Sequence, residues 1–148
     1  MLVSAVMSHP VVSILPQDTL CEAAARMWRH DVGALPVLIG RSPVGMITDR
    51  DIVVRALSAA VDIGQRPVSA VMSANPIACF ADQEVAEAAA LMGDRQARRL
   101  LVMDRLGNLV GVLSIGDLAE NVSEELAGQV LGEICEKRRP PGEHVRRR

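Results

Sequence analysis

Twice in the chain a hydroxyl stands three residues ahead of an aspartate, as Thr48 with Asp51 and as Ser114 with Asp117. Where a strand gives way to a helix, that spacing builds a capping box: the hydroxyl accepts the acid's amide and the acid accepts the hydroxyl residue's amide. Arg98 and Arg99 stand side by side ahead of an apolar run. Two fixed guanidiniums are what a phosphate needs once water is excluded, and they are equally what keeps an exposed strand edge soluble. His9, His30 and His144 and Cys21, Cys79 and Cys135 show no metal-ligand spacing. Phosphate loops of the G-x-x-x-x-G-K-[ST] type, G-x-G-x-x-G, H-E-x-x-H and G-x-S-x-G are absent, so the sequence carries no strong enzyme signature.

The elements that must position these residues come as an internal repeat. Val3-Ser4-Ala5-Val6-Met7-Ser8 recurs unchanged as Val68-Ser69-Ala70-Val71-Met72-Ser73. The register continues: Leu20, Glu22, Ala23, Ala24, Ala25 and Met27 face Val85, Glu87, Ala88, Ala89, Ala90 and Met92, and Leu35 and Val37 face Leu100 and Val102. After one inserted turn residue Val44-Gly45 matches Val110-Gly111, and the two hydroxyl–carboxylate pairs coincide. Within each copy a short extended run follows a proline (11–14 after Pro10, 77–80 after Pro76). An amphipathic helix comes next, with Leu20, Ala23, Ala24 and Met27 on one stripe and Thr19 with Glu22 as a capping box. A strand pair follows in each copy (34–39 with 44–47; 99–103 with 109–113), then a second helix (49–58; 116–126).

The 148 residues, 49% apolar, suffice for two such units sharing a core, whereas one unit of about fifty residues buries too little surface to stand alone. A formal charge of -2, with Trp28 and Phe80 as the only aromatics, removes both the basic field and the stacking platforms of general nucleic-acid binders. Three cysteines without C-x-x-C spacing fit a reducing compartment, and no apolar run reaches membrane-spanning length, so a cytoplasmic location is expected.

A tandem strand-helix-strand-strand-helix unit ending in Pro43-Val44-Gly45-Met46-Ile47-Thr48-Asp49-Arg50-Asp51-Ile52 resembles the CBS domain, and two in series resemble a Bateman module. The resemblance rests on M-S-x-x-P, E-A-A-x-x-M, Leu35-Pro36-Val37 and G-x-x-[TS]-x-x-D, and covers residues 1 to about 122. It implies an α+β fold of β-α-β-β-α repeats related by a pseudo-twofold axis, with domains at 1–58 and 68–126, a linker at 59–67 and a basic flexible tail at 127–148. It also implies a regulatory, non-catalytic role: binding AMP, ADP, ATP or S-adenosylmethionine in clefts between the repeats.

Carried over residue by residue, the resemblance gives Asp51 the ribose hydroxyls, Thr48 and the helix amides the phosphate, and Arg98 and Arg99 the phosphate charge from the opposite copy. Pro10, Val11, Val12, Met46 and Ile47 are the expected adenine walls, and Arg50 either reaches a phosphate or pairs with a surface acid. Ser114 and Asp117 form the weaker second site, because Gly33 and Ala34 stand where the arginine pair would be. The resemblance further implies a homodimer packed through helices. With no catalytic domain on the chain, regulation is expected to act in trans on a partner. A ligand-free assembly module, and behind it a metal- or redox-responsive protein, are the alternatives. The last twelve residues hold six of the 16 basic side chains, the pattern of a solvated tail.

Overall fold

The computed structural model describes residues 1–59 and 62–137. Helix α1 (Leu20–His30) starts where the Thr19 hydroxyl accepts the amide of Glu22 at 3.2 Å, and it buries Leu20, Ala23 and Met27. Half of the expected capping box is formed, because the Glu22 carboxylate turns to Arg26 one turn on. The helix ends on Asp31 in the left-handed conformation, φ 52°. Strands β1 (Ala34–Ile39) and β2 (Ser42–Thr48) pair antiparallel; β1 buries Leu35, Pro36 and Val37 in succession, while β2 alternates, burying Gly45 and Ile47. Helix α2 begins at Asp49–Asp51, continues as a wider π turn over Ile52–Ala56 and tightens into a 3₁₀ turn at Leu57–Ala59.

The second repeat runs through β4 (Ala78–Phe80), α3 (Val85–Arg95), β5 (Arg99–Met103), β6 (Leu109–Ser114) and α4 (Ile115–Asn121). The expected opening strand forms here, β4 lying parallel to β5. In the first repeat the expected strand at 11–14 contracts to one parallel bridge, Ile14 with Val37, held by Ile14 N to Pro36 O at 3.0 Å and Leu38 N to Ile14 O at 2.9 Å.

What the repeated hexapeptide does emerges from the packing: each copy serves the other repeat. Val3 and Val6 are buried among Leu100, Val102, Leu113 and Leu118 of the second repeat. Val68 and Val71 are buried among Leu35, Val37 and Ile47 of the first. The strand edges follow suit, Ser8 bridging Val112 while β3 (Ser73–Ala74) pairs with β2. Two apolar cores are thus laced together by exchanged segments, which is how two units too small to fold separately share stability.

The lacing requires glycine at its crossing points. A Cβ on Gly111 would lie 2.5 Å from the Met7 sulfur and 3.2 Å from the Ser8 carbonyl oxygen. On Gly45 it would lie 2.7 Å from the Met72 sulfur and 2.8 Å from the Ser73 carbonyl oxygen. Gly45→Val is therefore expected to lower stability in urea denaturation by about 1–3 kcal/mol, the range for overpacking a filled site. Gly116→Ala, whose added carbon meets nothing closer than 3.4 Å, is the matched control and should not destabilise. Equal stabilities for the two variants would contradict the crossing-point reading.

The expected long helix at 116–126 is broken at Val122–Ser123. The Ser123 hydroxyl accepts the amide of Leu126 at 3.2 Å and starts a further helix, α5 (Glu124–Cys135). Residues 127–135, expected in the tail, therefore belong to a packed helix that buries Ala127 and Val130 against α3 and α4. The Gln96 side-chain amide donates to the carbonyls of Glu133, Ile134 and Glu136 and satisfies the end of α5. The remaining basic tail, 138–148, lies outside the described residues.

Candidate functional site

Both hydroxyl–carboxylate pairs form complete capping boxes at the ends of β2 and β6. The Thr48 hydroxyl accepts Asp51 N at 3.0 Å while the Asp51 carboxylate accepts Thr48 N at 3.0 Å. Ser114 and Asp117 repeat the arrangement at 3.1 and 2.8 Å. The surroundings then diverge. Asp117 also accepts the Ser8 hydroxyl at 2.8 Å and the Ser114 hydroxyl at 2.9 Å. Asp51 instead faces Arg55 at 3.7 Å, and Arg55 also donates to the carbonyl of Val71.

Because the hexapeptides are exchanged, each repeat's capped helix start meets the other repeat's leading segment, and a cleft opens at each meeting. The larger, 330 Å³, lies between Ser114 and Asp117 of the second repeat and Pro10, Val11 and Val12 of the first, with Gly33 and Ala34 beside them. The smaller, 190 Å³, lies between Met46 and Thr48 of the first repeat and Pro76, Ile77, Arg98 and Arg99 of the second. Ala34 and Arg99, which occupy matching positions in the two copies, line both.

The structure thus brings Thr48, Met46, Arg98 and Arg99 into one cleft. Six expected members lie elsewhere. Pro10, Val11 and Val12 line the opposite cleft, together with Ser114 and Asp117, since a repeat's leading segment packs beside its partner's helix start. Ile47 is fully buried in the first core, because β2 alternates and its odd side faces inward. Asp51 lines neither cleft: its carboxylate is taken up by the capping box and Arg55. Arg50 is exposed and outside both. Ser8 and Asp31, both of which line the larger cleft, were not foreseen as site residues. Ser8 sat in the repeat itself, but its partner Asp117 is 109 residues away and became visible only with the segment exchange.

Charge is distributed unevenly. Among the described residues the guanidiniums of Arg98 and Arg99, like those of Arg29, Arg41, Arg50, Arg66 and Arg95, make no ion pair, whereas those of Arg26, Arg55 and Arg105 each face a carboxylate; of the unpaired ones, Arg98 and Arg99 line the clefts between the repeats' capped helix starts. The larger cleft sets Asp31 and Asp117 against Arg99; the smaller has two arginines and no acidic wall residue. Among the described residues no group of three or more His, Cys, Asp or Glu comes together. Cys79 is buried and burial pushes its thiol up to about 11, so at neutral pH it is a poor ligand and nucleophile.

In the first repeat Trp28 is 89% exposed and shares a groove with exposed Val53. The matching position in the second repeat is Gly93, where a Cβ would collide with the Glu133 side chain of α5. One helical face is therefore covered by the chain's own last helix, while its mate presents a tryptophan to solvent.

Known proteins show the same architecture. The family model described as CBS domain matches residues 3–58 and again 68–124. The CBS domain-containing protein YhcV of Bacillus subtilis is 42% identical over 129 residues, spanning 86% of this chain and 91% of that protein. A CBS domain protein from Pyrobaculum aerophilum complexed with AMP superposes with a TM-score of 0.73 at 27% identity, covering 89% of this chain and 99% of that one. Hypoxic Response Protein I with two coordinated zinc ions superposes with a TM-score of 0.74 at 30% identity, covering 82% and 99%. With two repeats that exchange their leading segments, paired capping boxes and these matches, the chain belongs to the CBS domain family and carries two such domains in tandem, a Bateman module.

Proposed function

We propose that the chain is a regulatory module that binds an adenine nucleotide (AMP, ADP, ATP or a related adenosine such as S-adenosylmethionine) between its two repeats and acts in trans on a partner protein, without catalysing a reaction. The observation that carries this reading is the unpaired Arg98–Arg99 edge lying where two clefts meet, each cleft flanked by the capped start of a helix. Exposed guanidiniums that make no ion pair among the described residues keep their donors available to an anion entering the cleft. The AMP held by the Pyrobaculum protein supports the ligand class. No resident cofactor is needed. The larger cleft supplies apolar walls from Pro10, Val11 and Val12 and an acceptor from Asp117, which suits a base and a sugar.

Calorimetric titration of the purified chain with AMP, ATP and S-adenosylmethionine tests this. Saturable binding that weakens in Asp117→Ala is expected, and an absence of heat with all three ligands would contradict the reading. Adenosine-site variants that bind as the parent chain does would contradict the placement.

The exposed Trp28 face favours a second property, a homodimer. Val32, Ile52 and Val53 continue the tryptophan's apolar surface into one groove. Covering such a patch with a second copy removes it from water, as α5 does on the other repeat. A ligand-free assembly role would use this face alone and leave both clefts idle. Among the described residues no helix is long and apolar enough to cross a membrane. The cysteines are free, which accords with a cytoplasmic site of action.

A further inference from the structure

The two clefts differ in size, charge and the state of their hydroxyls, and the three differences point the same way. Small-molecule pockets typically enclose about 300–1,000 Å³. At 330 Å³ the Asp117 cleft reaches that range, and at 190 Å³ the Thr48 cleft falls short of it. The first has room for a nucleoside; the second has room for part of a ligand.

Asp31 and Asp117 in the larger cleft oppose a phosphate there but not a base or a sugar hydroxyl. A carboxylate offers about four acceptor positions, and Asp117 commits three of them to Ser8 and Ser114, leaving about one for a ligand hydroxyl. In the smaller cleft the sign reverses, with Arg98 and Arg99 and no acid.

The hydroxyls sort likewise. Ser114 spends its proton on Asp117, at 2.9 Å. Thr48 accepts from Asp51 N and, among the described residues, donates to nothing, so its proton is free for an anionic oxygen. Arg99, a wall of both clefts, stands between the two environments.

We propose, resting on the nucleotide reading above, that the two clefts form one site for a single nucleoside polyphosphate per chain. The base and sugar lie in the Asp117 cleft, and the phosphates pass Arg99 into the Thr48 cleft to end against Arg98 and the Thr48 hydroxyl. The module then counts phosphates: a monophosphate reaches Arg99 alone, while a triphosphate engages both arginines.

The test is titration of the full chain with adenosine, AMP, ADP and ATP in magnesium-free buffer, repeated with Arg98→Gln, an exposed position whose replacement leaves the fold intact. One ATP per chain is expected. Affinity should rise at least about tenfold from AMP to ATP, as one additional charge-assisted contact provides, and Arg98→Gln should compress that rise to about twofold. Two ATP per chain, AMP binding as tightly as ATP, or an undiminished rise in Arg98→Gln would each overturn the shared site and leave the nucleotide reading standing. Heat with none of the four ligands would overturn both.

Discussion

Val3→Asp should unfold the second repeat first, although the substitution lies in the opening residues of the first. Val3 is fully buried against Leu100, Val102 and Leu113, and its amide donates to the carbonyl of Gln83 at 2.9 Å. A carboxylate at that point would lie among apolar side chains, in a core that buries no charged residue among the described residues. An uncompensated charge in a core costs about 3–5 kcal/mol, a large share of the 5–15 kcal/mol that holds an ordinary domain together. Hydrogen exchange should show amides of β5, β6 and α3 losing protection ahead of those of β1 and β2. Val68→Asp should give the mirror image, since Val68 is fully buried in the first core and its amide donates to Asp18 O at 2.8 Å. If each substitution instead loosened its own repeat first, the two cores would not be exchanged in solution and both clefts would have to be redrawn.

That exchange also marks how far the chain could be read without coordinates. Repetition, helix stripes and strand pairs are properties of neighbouring residues, and periodicity reports them directly. The capping boxes at Thr48–Asp51 and Ser114–Asp117 are local in the same sense, and both form as the spacing requires. Which repeat a hexapeptide packs into is not local. Identical segments carry no mark of whether they fold back or cross over, and only the shape of the completed cores decides it. The place of Pro10, Val11 and Val12 beside Ser114 and Asp117, and not beside Thr48, hangs on this single ambiguity, because it decides which leading segment meets which capped helix. The fate of α5 was hidden differently. Its apolar residues Leu126, Val130 and Ile134 recur at helical spacing, but what leaves room for it is the absence of a side chain at Gly93, a feature that acquires meaning only beside Trp28 on the other repeat.

Arg99→Ala is the substitution with the largest expected effect on ligand binding, because among the described residues its side chain is the one charged group common to both clefts. A hydrogen bond to an ionised partner contributes about 1.5–3 kcal/mol, and about 1.4 kcal/mol is a factor of ten, so affinity for AMP or ATP should fall about ten- to a hundredfold. The loss should depend on the phosphate: adenosine, which presents none, should weaken far less. It should also depend on salt, since an exposed guanidinium is screened within about 8 Å at physiological ionic strength, and parent and variant should converge as salt is raised. The fold should be untouched, as Arg99 is exposed at the end of β5 and its side chain makes no ion pair among the described residues. Arg99→Lys separates charge from shape. A lysine restores the sign but not the planar fork that reaches into two clefts at once, so partial recovery for AMP with poor recovery for ATP is the expected pattern. Full recovery of both by lysine would show that only a point charge is required at the junction. Equal losses for adenosine and ATP in Arg99→Ala would show that the side chain shapes the cleft instead of holding the phosphates.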